Sequence, residues 1–406
     1  MLTKLAWKNI WRNRTRSGVV LGAVAIGLFA GTYLSAFMNG WMLGSVQADI
    51  DTNLSHIQIS DTAFSANNDI GAYFLQTNVA EKLANTPSLK EISFRLILNG
   101  MLSSANNSVG MTANGVVPED EQRVSTIWKM IPDSLGAFLP EDTRAAIVIS
   151  EKTAEKLKVR LRSKIVFSFQ TAAGEMQTMA FRVCGIFKTS NSAFDEGQAF
   201  VRYDDIFPLT ALPENSAHKA YIRVADLETC EKITPELKTL FPDLSVQNWK
   251  ELNPMFAMSL EYMDLYAMII IGIFLFALAF GIINTMLMAI LERTREIGML
   301  AAIGMNRSRI FRMIMFETVF LTLLGSVAGI ALAIAALIPS LHSGIDLTFM
   351  MSDSFEDYGF SSIVYPVISA EMFVEIVILV ILTGILAAIY PARKALKLNP
   401  IEAIRS

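Results

Sequence analysis

Residues 265–291 read LYAMIIIGIFLFALAFGIINTMLMAIL and contain no Asp, Glu, Lys or Arg. A helix needs about 20 mainly apolar residues to cross the hydrocarbon core of a bilayer, and this run exceeds that length. Three other windows, 17–48, 318–345 and 376–392, also lack these four charged residues. The last window reaches a spanning length when the mostly apolar residues from 367 onward are added. The sequence therefore predicts four membrane-spanning helices.

The composition of the chain agrees with a membrane protein. Of its 406 residues, 52% are hydrophobic and only 18% are charged, which is too apolar for an ordinary soluble protein. Charges are scattered throughout 49–264, where short β-branched or aromatic runs alternate with helix-like runs. The expected fold class is an α+β integral membrane protein, with four transmembrane helices and a large extracytoplasmic α+β domain with a mixed sheet, inserted between helices one and two.

Local patterns place elements within that domain. Strands are predicted at 56–59, 164–169, 181–187, 199–203 and 220–224, and helices at 78–85, 151–158 and 225–240. The charge-free stretch 96–118 is too polar for lipid and is predicted to be a loop or a strand pair. Residues 60–77 are rich in Ser, Asn and Asp and are predicted to form a flexible loop.

Basic residues predict the orientation of the helices. Five basic residues and no acid lie within 1–16, and no Lys or Arg lies between Arg312 and Arg393, although several acids do. Because cytoplasmic flanks carry the excess of Lys and Arg, both termini are expected to be cytoplasmic and the domain between helices one and two extracytoplasmic. We expect a multi-pass protein of the bacterial inner membrane.

The predicted parts follow in chain order. They are an interfacial helix at 1–16, helix one at 17–48, the outer (periplasmic) domain at 49–263, helix two at 264–291, a cytoplasmic loop at 292–312, helix three at 313–342, an outer loop at 343–366, helix four at 367–390 and a cytoplasmic tail at 391–406. Helix one is expected to be retained, since its apolar run is longer than the roughly 7–15 residues of a signal peptide.

Small residues predict close helix packing. Helix one carries glycines that fall along one face, at Gly18, Gly22, Gly27 and Gly31, and Gly325 and Gly329 repeat the spacing in helix three. Two small residues four apart let another helix approach closely. The pattern favours tight packing or dimerisation and identifies no function.

Motifs for catalysis are absent from the sequence. No Gly-Lys dipeptide occurs, so these residues contain no Walker A loop for a nucleotide phosphate. The three histidines lie far apart and lack metal-site spacing, so no metal site is expected and each is predicted to be a surface or packed residue. No basic stripe suggests nucleic acid. For Cys184 and Cys230, two buried free thiols are favoured over a disulfide.

The spans also lack an obvious ion pathway. Within the charge-free windows of helices two to four, Asn284 and a few Ser and Thr residues are the main interruptions, whereas proton relays and ion sites use ionisable residues inside the membrane. Ion-coupled transport is therefore disfavoured, and the energy for any transport must come from outside the chain.

Three motifs carry a family resemblance. Residues 7–14 read WKNIWRNR, residues 283–304 read INTMLMAILERTREIGMLAAIG, and residues 390–405 read YPARKALKLNPIEAIR. In this order they resemble the four-helix ABC transporter permeases of the MacB/FtsX-like family, which includes macrolide exporters and the lipoprotein-releasing LolC/LolE-type branch. One departure is Arg162-Ser163, where the family's pattern has a Gly-Asp turn.

The resemblance implies an energy source in another subunit. The segment 292–312 looks like the coupling helix that enters a groove of a separate ATP-binding subunit. On this resemblance the coupling residues are Glu292, Arg293, Arg295 and Glu296, with Gly298 and Gly304 marking the helix ends. ATP and Mg would be bound by that subunit, with no cofactor in this chain. A second permease, identical or paralogous, would complete the complex, and motion would pass along helices one and two to the outer domains.

The substrate stays open between several readings. Lipoprotein extraction toward a periplasmic carrier is expected from the segments 344–347 and 358–366, which resemble the lipoprotein-releasing branch. Peptide or drug export, as in MacB-like permeases, fits 283–286 and 292–296. A membrane signalling or sensor protein is the non-transport alternative. For a lipid-linked substrate, large or flexible residues near the outer ends of helices one and two form the expected cavity: Phe37, Met38, Trp41, Met42, Tyr262, Tyr266 and Met268.

Overall fold

The computed structural model describes residues 2–12, 14–84, 86, 89–347 and 363–396. The motif segments at 358–362 and 397–405 lie outside these residues. The chain forms two compact units. The helical unit comprises 1–42, 260–346 and 363–406, and the sheet unit comprises 43–259 and 347–362.

The helices of both units have the following bounds. They are α1 Leu2–Arg12, α2 Arg14–Asp49, α3 Thr62–Asn67, α4 Gln76–Ala84, α5 Pro118–Val124, α6 Glu151–Leu157, α7 Ser192–Gly197, α8 Tyr203–Ile206, α9 Leu227–Leu240, α10 Trp249–Leu252, α11 Pro254–Glu292, α12 Thr294–Ala302, α13 Arg307–Ser343 and α14 Ala370–Ala395. A π-helical turn, Ile50–Leu54, continues α2.

The strands are short except for β3 and β7. They are β1 Ile57–Asp61, β2 Phe74–Leu75, β3 Leu89–Ser103, β4 Ser108–Val116, β5 Ala146–Ser150, β6 Lys164–Gln170, β7 Met176–Phe187, β8 Gln198–Arg202, β9 Ser216–Ala217, β10 Lys219–Val224, β11 Leu244–Asn248, β12 Ile345–Asp346 and β13 Ile363–Val364.

Four described helices, α2, α11, α13 and α14, are long and apolar enough to cross a membrane. The chain is therefore an integral membrane protein with a sheet-containing domain between its first and second spans. Helix α14 runs Ala370–Ala395, a few residues beyond the predicted 367–390 at its end. Helix α11 begins at Pro254, ten residues before the predicted 264.

Helix α13 is packed closely on α2 and α14. A Cβ built on Gly325 would lie 2.7 Å from Cβ of Val24, and one on Gly329 would lie 2.8 Å from the carbonyl oxygen of Ala25. A Cβ on Gly384 would lie 2.5 Å from Oγ1 of Thr322. Since real Cβ atoms never approach that closely, these glycines set the spacing of the three helices.

The glycines of α2 are placed differently. Gly27 faces Leu278 of α11 and Gly31 faces Ile376 of α14, both at van der Waals distance, whereas a Cβ on Gly18 or Gly22 would meet no described atom within 4 Å. The face predicted for helix packing is thus divided. Its second half faces helices of the same chain, and its first half lies open in this single chain.

The sheet unit is built around the long strand β3. Its first part pairs with β10, and its second part pairs with β4 on one edge and β6 on the other. The strand order β11-β1-β10-β3-β4-β8-β5-β7-β6 closes on itself through the β3–β6 pairing. Two pairs, β4–β8 and β5–β7, are parallel, so the sheet is mixed, as predicted. The strand-pair reading of 96–118 is confirmed by the β3–β4 hairpin.

The prediction of a flexible loop at 60–77 is wrong. This segment contains the end of β1, helix α3 and strand β2. Phe64 of α3 is buried and stacks on the ring of His218 with centroids 4.5 Å apart. Its polar composition reflects capping: Asp61 begins α3 by accepting a hydrogen bond from Ala63 N. Burial of the Phe64 side chain therefore determines the structure of this segment more than its polar composition does.

The histidines and cysteines of the sheet unit are packed residues. His218 is buried, with Nδ1 accepting from Ile97 N and Nε2 facing Ile70 O at 3.0 Å, and burial lowers its pKa. Both cysteines are free thiols, as favoured from the sequence. Burial raises the pKa of Cys230 to about 11, so this thiol is unreactive at neutral pH.

The departure at Arg162 has a backbone consequence. This residue has a φ of +68°, a left-handed conformation that glycine adopts without cost. The turn before β6 is therefore kept although the glycine of the family pattern is missing. Hydrogen bonds from Arg162 N to Val183 O and from Val183 N to Ser163 O hold it.

A buried ion pair links β3 to α5. Arg95 Nη2 lies 2.6 Å from Oε1 of Glu121, and both side chains are almost fully buried. Ser93 donates to the same carboxylate, and the guanidinium lies 3.6 Å from the centre of the Tyr221 ring. The charges are thus compensated at the point where β3 passes from β10 to β4.

We predict that Glu121→Gln strongly destabilises the sheet unit. Arg95 would stay buried without its counter-charge, and breaking a buried pair costs about 3–5 kcal/mol. Thermal unfolding of the purified protein, followed by circular dichroism, measures the loss. Glu228→Gln is the control, because its pair with Lys232 is exposed to solvent and such surface pairs contribute little to stability. Equal shifts in the two variants would contradict the prediction.

Candidate functional site

The loop between the second and third spans forms a defined helix. Helix α11 ends at Glu292, α12 follows over Thr294–Ala302, and Gly304 turns the chain with a φ of +95°. Asn306 then begins α13, its side chain accepting from Ser308 N. The predicted coupling segment is therefore one short helix between two turns.

The inner side of α12 is held by a buried ion pair. Nη1 of Arg293 lies 3.2 Å from both carboxylate oxygens of Glu317 in α13, and Nη2 donates to the carbonyl of Asn9 in α1. The two charged side chains are 13% and 5% exposed. Because both are desolvated, this pair fixes α1, α11 and α13 together at the base of α12.

Glu317 lies within the span predicted at 313–342, where no paired charge was expected. The charge-free windows were read from the sequence one at a time, and Glu317 stands just before the one that starts at 318. Its partner lies 24 residues earlier, in the turn between α11 and α12. Since the pair is neutral overall and hydrogen-bonded, it gives no evidence for an ion pathway, which uses charges exposed to a cavity.

The predicted coupling residues are divided between two environments. Arg293 is engaged with Glu317, and Glu296 pairs with Arg12 of α1. Glu292 and Arg295 are exposed, and neither has an ion-pair partner within the described part of the chain. Gly298 is buried on the inner side of α12. Of the predicted coupling residues, Glu292 and Arg295 are therefore the two whose charges have no ion-pair partner among the described residues.

The apolar side chains of α12 are also divided. Ile297 is buried, whereas Ile303 is 78% exposed, so the two side chains do not share one face. The helix ends at Ala302, and Ile303 lies in the turn before Gly304. Met299 is exposed as well. The outer surface of α12 thus combines two unpaired charges with two exposed apolar side chains.

A second candidate site lies at the opposite end of the helical unit. A cavity of about 610 Å³ lies between α11 and α14, and Asn39 of α2 closes one side of it. Its walls are mostly apolar, and its lining residues are Asn39, Ala267, Met268, Ile271, Gly272, Leu275, Ser369, Glu371, Met372, Glu375, Ile376 and Leu379. We call this cavity the outer groove.

Most of the residues predicted for a substrate cavity lie outside the outer groove. Of the seven predicted residues, only Met268 lines the outer groove. In α2, Phe37 and Trp41 pack ring to ring with centroids 6.3 Å apart, Met42 is buried and Met38 is partly buried. In α11, Tyr262 and Tyr266 are exposed. The missed side is α14, whose Glu371 and Glu375 lie one turn apart on the groove.

Helices α2 and α11 are longer than a membrane requires. With 36 and 39 residues, they span about 54 and 58 Å at 1.5 Å per residue, against a hydrocarbon core of about 30 Å. Arg14 at the start of α2 and Glu292 at the end of α11 mark the polar boundary at one side. The surplus length therefore lies toward Asp49 and Pro254.

Within the sheet unit, Asp49 joins these two helix ends. Its carboxylate is buried and accepts hydrogen bonds from the side-chain amides of Asn53, Asn191 and Asn253, at 3.3, 3.3 and 3.0 Å. Asn253 in turn accepts from Phe256 N at the start of α11. One carboxylate thus contacts the end of α2, the loop before α7 and the cap of α11. We call it the Asp49 cluster.

A second buried carboxylate holds Asn191 in place. Asp195 accepts from Thr189 N and Thr189 Oγ1, at 3.1 and 2.7 Å, and Thr189 Oγ1 accepts from Asn191 N. Burial raises the pKa of Asp195 from 3.8 to about 6. The contribution of this group to the unfolding free energy is therefore fully present below pH 3.8 and is lost as the pH rises through about 6.

Comparison with known families identifies the chain. The MacB-like periplasmic core domain matches residues 17–240, more than half of the 406 residues. The FtsX-like permease C-terminal region matches residues 268–400. The chain belongs to the MacB/FtsX-like ABC transporter permeases. The Asp49 cluster thus begins in the MacB-like region, and α12 and the outer groove lie almost entirely in the FtsX-like region.

Two relatives that match most of this permease have sequence identities below 30%. An uncharacterised ABC transporter permease of Methanocaldococcus jannaschii is 28% identical over 281 residues, covering 66% of this chain and 64% of that protein. The macrolide export ATP-binding/permease protein MacB of a Shewanella species is 24% identical over 358 residues, covering 81% of this chain and 49% of that protein. The chain spans less than two thirds of the length of either relative.

A solved structure gives a third comparison. The periplasmic region of MacB from Actinobacillus actinomycetemcomitans covers 53% of this chain and 98% of that structure, at 13% identity and a TM-score of 0.37.

We predict that Asp49→Ala loosens the start of α11 and the loop at Asn191 together. Both amides would lose a hydrogen bond to a charged acceptor, worth about 1.5–3 kcal/mol, so backbone amides near Phe256 and Phe194 should exchange at least roughly tenfold faster. Hydrogen–deuterium exchange of the full chain in nanodiscs measures this. Glu228→Gln is the control, because it also removes a carboxylate but lies in an exposed pair outside the Asp49 cluster. Unchanged exchange near Phe256 in Asp49→Ala would contradict the prediction.

Proposed function

We propose that this chain is the permease subunit of an ABC transporter and that ATP hydrolysis in a partner subunit drives motion of its outer domain. The curated relative from Shewanella is named as an ATP-binding/permease protein. This chain matches about half of that relative and contains no Gly-Lys dipeptide, hence no Walker A loop, in its 406 residues. An ATP-binding partner that carries ATP and Mg supplies the missing function.

The observation that carries this proposal is the outer surface of α12. Arg295, Met299 and Ala302 are exposed at spacings of four and three residues and so share one face, flanked by Glu292 and Ile303. The opposite side is fixed by the Arg293–Glu317 pair. The inner side of α12 is thus held by its own chain, and its outer side has no partner among the described residues. Such a helix is suited to bind a partner protein and to transmit force between that protein and the helical unit.

The remaining arrangement follows from the basic flanks. In this proposal α12 and both termini lie in the cytoplasm, the membrane is the bacterial inner membrane, and the sheet unit is extracytoplasmic. Helices α2 and α11 carry motion to the Asp49 cluster. A second permease, identical or paralogous, completes the transporter, and the open glycines Gly18 and Gly22 offer one surface for it.

We predict that the double swap Glu292→Arg with Arg295→Glu abolishes binding of the ATP-binding subunit. Both exposed charges are reversed while the net charge is unchanged, so only a matched partner surface distinguishes the variant from the wild type. The measurement is recovery of an ATP-binding subunit when the tagged chain is purified in mild detergent.

The control is an equivalent swap far from α12. Glu228→Lys with Lys232→Glu reverses an exposed pair in the sheet unit and should leave recovery unchanged. A wild-type chain that purifies without any ATP-binding subunit would contradict the proposal and favour a signalling or sensor protein, whose outer domain binds a ligand without moving it.

For the substrate, we propose a lipid-linked molecule, and specifically a lipoprotein extracted from the membrane toward a periplasmic carrier. The outer groove supports this choice, because it has apolar walls of flexible and branched side chains and carboxylates at Glu371 and Glu375. From Glu371 to Leu379 the groove runs about 12 Å along α14 at 1.5 Å per residue, enough for part of an acyl chain. Export of a drug or peptide is the alternative, supported by the names of the MacB relatives.

We predict that filling the outer groove prevents substrate extraction. Gly272 lines the groove, and a Cβ there meets no described atom within 4 Å, so Gly272→Phe would occupy the cavity without a clash in the helix packing. After depletion of the wild-type chain, lipoproteins should accumulate in the inner membrane, and the Gly272→Phe variant should not reverse this. The measurement is the amount of lipoprotein in each membrane fraction.

Gly281→Phe is the matched control. It also adds a ring to α11 at a position with no described atom within 4 Å, but it does not line the groove, so it should restore sorting. Normal lipoprotein sorting after depletion, together with new sensitivity to a drug or peptide, would reject lipoprotein release and favour export.

A further inference from the structure

Helix α1 presents a cationic face that the described residues of the chain leave uncompensated. Lys4 and Lys8 are exposed and one helical turn apart, with the exposed ring of Trp7 beside them. The other side of α1 is buried at Ala6 and Ile10. Because this buried side fixes the helix, the two ammonium groups and the indole are held on the same outward surface.

Aromatic side chains form the floor of a shallow cavity on this surface. The cavity has a volume of about 300 Å³ and is lined by Thr3, Lys4, Trp7, Lys8 and Phe320. The rings of Trp7 and Phe320 meet edge to face with centroids 5.8 Å apart, and Phe320 stacks on the partly exposed Phe316 of α13. The cavity thus has a cationic rim and an aromatic floor.

Within the part of the chain that the structure describes, no acid pairs with the charges on the rim. Helix α1 contains no acidic residue, and no carboxylate of the described residues lies within ion-pair distance of Lys4 or Lys8. Arg12 of the same helix, in contrast, pairs with Glu296. Two like charges one turn apart repel each other, so an anion placed between them stabilises the helix.

We propose that this cavity binds the headgroup of an anionic phospholipid. The phosphate lies between the ammonium groups of Lys4 and Lys8 and accepts a further hydrogen bond from the hydroxyl of Thr3. The acyl chains lie along Phe320 and Phe316. This site is separate from α12 and from the outer groove, and it does not depend on the transported substrate.

The position of the cavity argues for a lipid rather than a soluble anion. Phe320 is the third residue of the charge-free window 318–345, so the cavity lies where hydrocarbon gives way to headgroups. Trp7 and Trp11 are exposed, and tryptophan is enriched at that same depth. A soluble phosphate gains no binding energy from contact with aromatic rings. A phospholipid, in contrast, presents a phosphate and an apolar chain side by side and can contact both the lysines and the rings.

The test compares lipids retained by the full chain. The protein is assembled in nanodiscs that contain phosphatidylglycerol and phosphatidylcholine, and the lipids that stay bound are counted by native mass spectrometry. In Lys4→Gln with Lys8→Gln, the preference for phosphatidylglycerol should fall at least roughly fivefold, the effect of one basic residue at a membrane surface. Trp7→Ala should also weaken retention.

The control removes two charges elsewhere on the chain. Arg393 and Lys394 are exposed in the last turn of α14, and Arg393→Gln with Lys394→Gln should keep the preference. An equal loss in this control would overturn the proposal in favour of general charge attraction, and no loss in the Lys4 and Lys8 variant would also overturn it. Excess inorganic phosphate should leave the preference intact, and if it removes the preference the site binds a soluble anion and the proposal fails.

Discussion

Within the sheet unit, the buried carboxylate of Asp49 forms the hydrogen bonds that link the end of α2 to the start of α11. A buried charge requires compensation, and here it comes from three side-chain amides instead of a cation. Hydrogen bonds to a charged acceptor are short-range and directional, so displacement of one partner is felt by the others. The end of α2, the loop at Asn191 and the cap of α11 at Asn253 are therefore mechanically coupled, so that movement of one displaces the others.

At the base of α12, buried charge is also compensated, but here by an ion pair between Arg293 and Glu317. Arg293 and Glu317 are desolvated together and bonded to the backbone of α1 through Asn9. The desolvation of such a pair makes it a weak source of net stability but a strong constraint on geometry, because separating the charges is costly. In the proposed transporter, α11 and α13 therefore move together with α12, because the ion pair resists local deformation. Both ends of α11 are then fixed by buried charge.

Within the membrane spans, α13 packs on α2 and α14 through small residues. Gly325, Gly329 and Gly384 bring α13 to backbone distance from α2 and α14, which maximises van der Waals contact where lipid gives no hydrophobic driving force between helices. Helix α11 is the exposed member, with Phe276 76% exposed. In the proposed transporter, the exposed α11 beside the outer groove gives an amphiphilic molecule a route from the bilayer, and the proposed lipid site on α1 lies at the other membrane boundary.

The sequence by itself determined the four spans, the strand-rich domain between the first two, and the family motifs. Each depends on local composition or on spacing of residues close in the chain: a span is a run without charge, and a strand is a short β-branched run. The buried Phe64 in the segment 60–77 escaped this reasoning, because its partner His218 is distant in sequence and only the fold brings the two rings together.

Only the tertiary structure determined which polar residues form buried contacts and which remain available to a partner. Four charges of the 292–296 segment look equivalent in sequence, yet Arg293 and Glu296 are committed to Glu317 and Arg12 while Glu292 and Arg295 stay free. Asp49 likewise reads as the first charge after a span. Pairing energies depend on burial and on distances between helices far apart in the chain, and no local pattern encodes either.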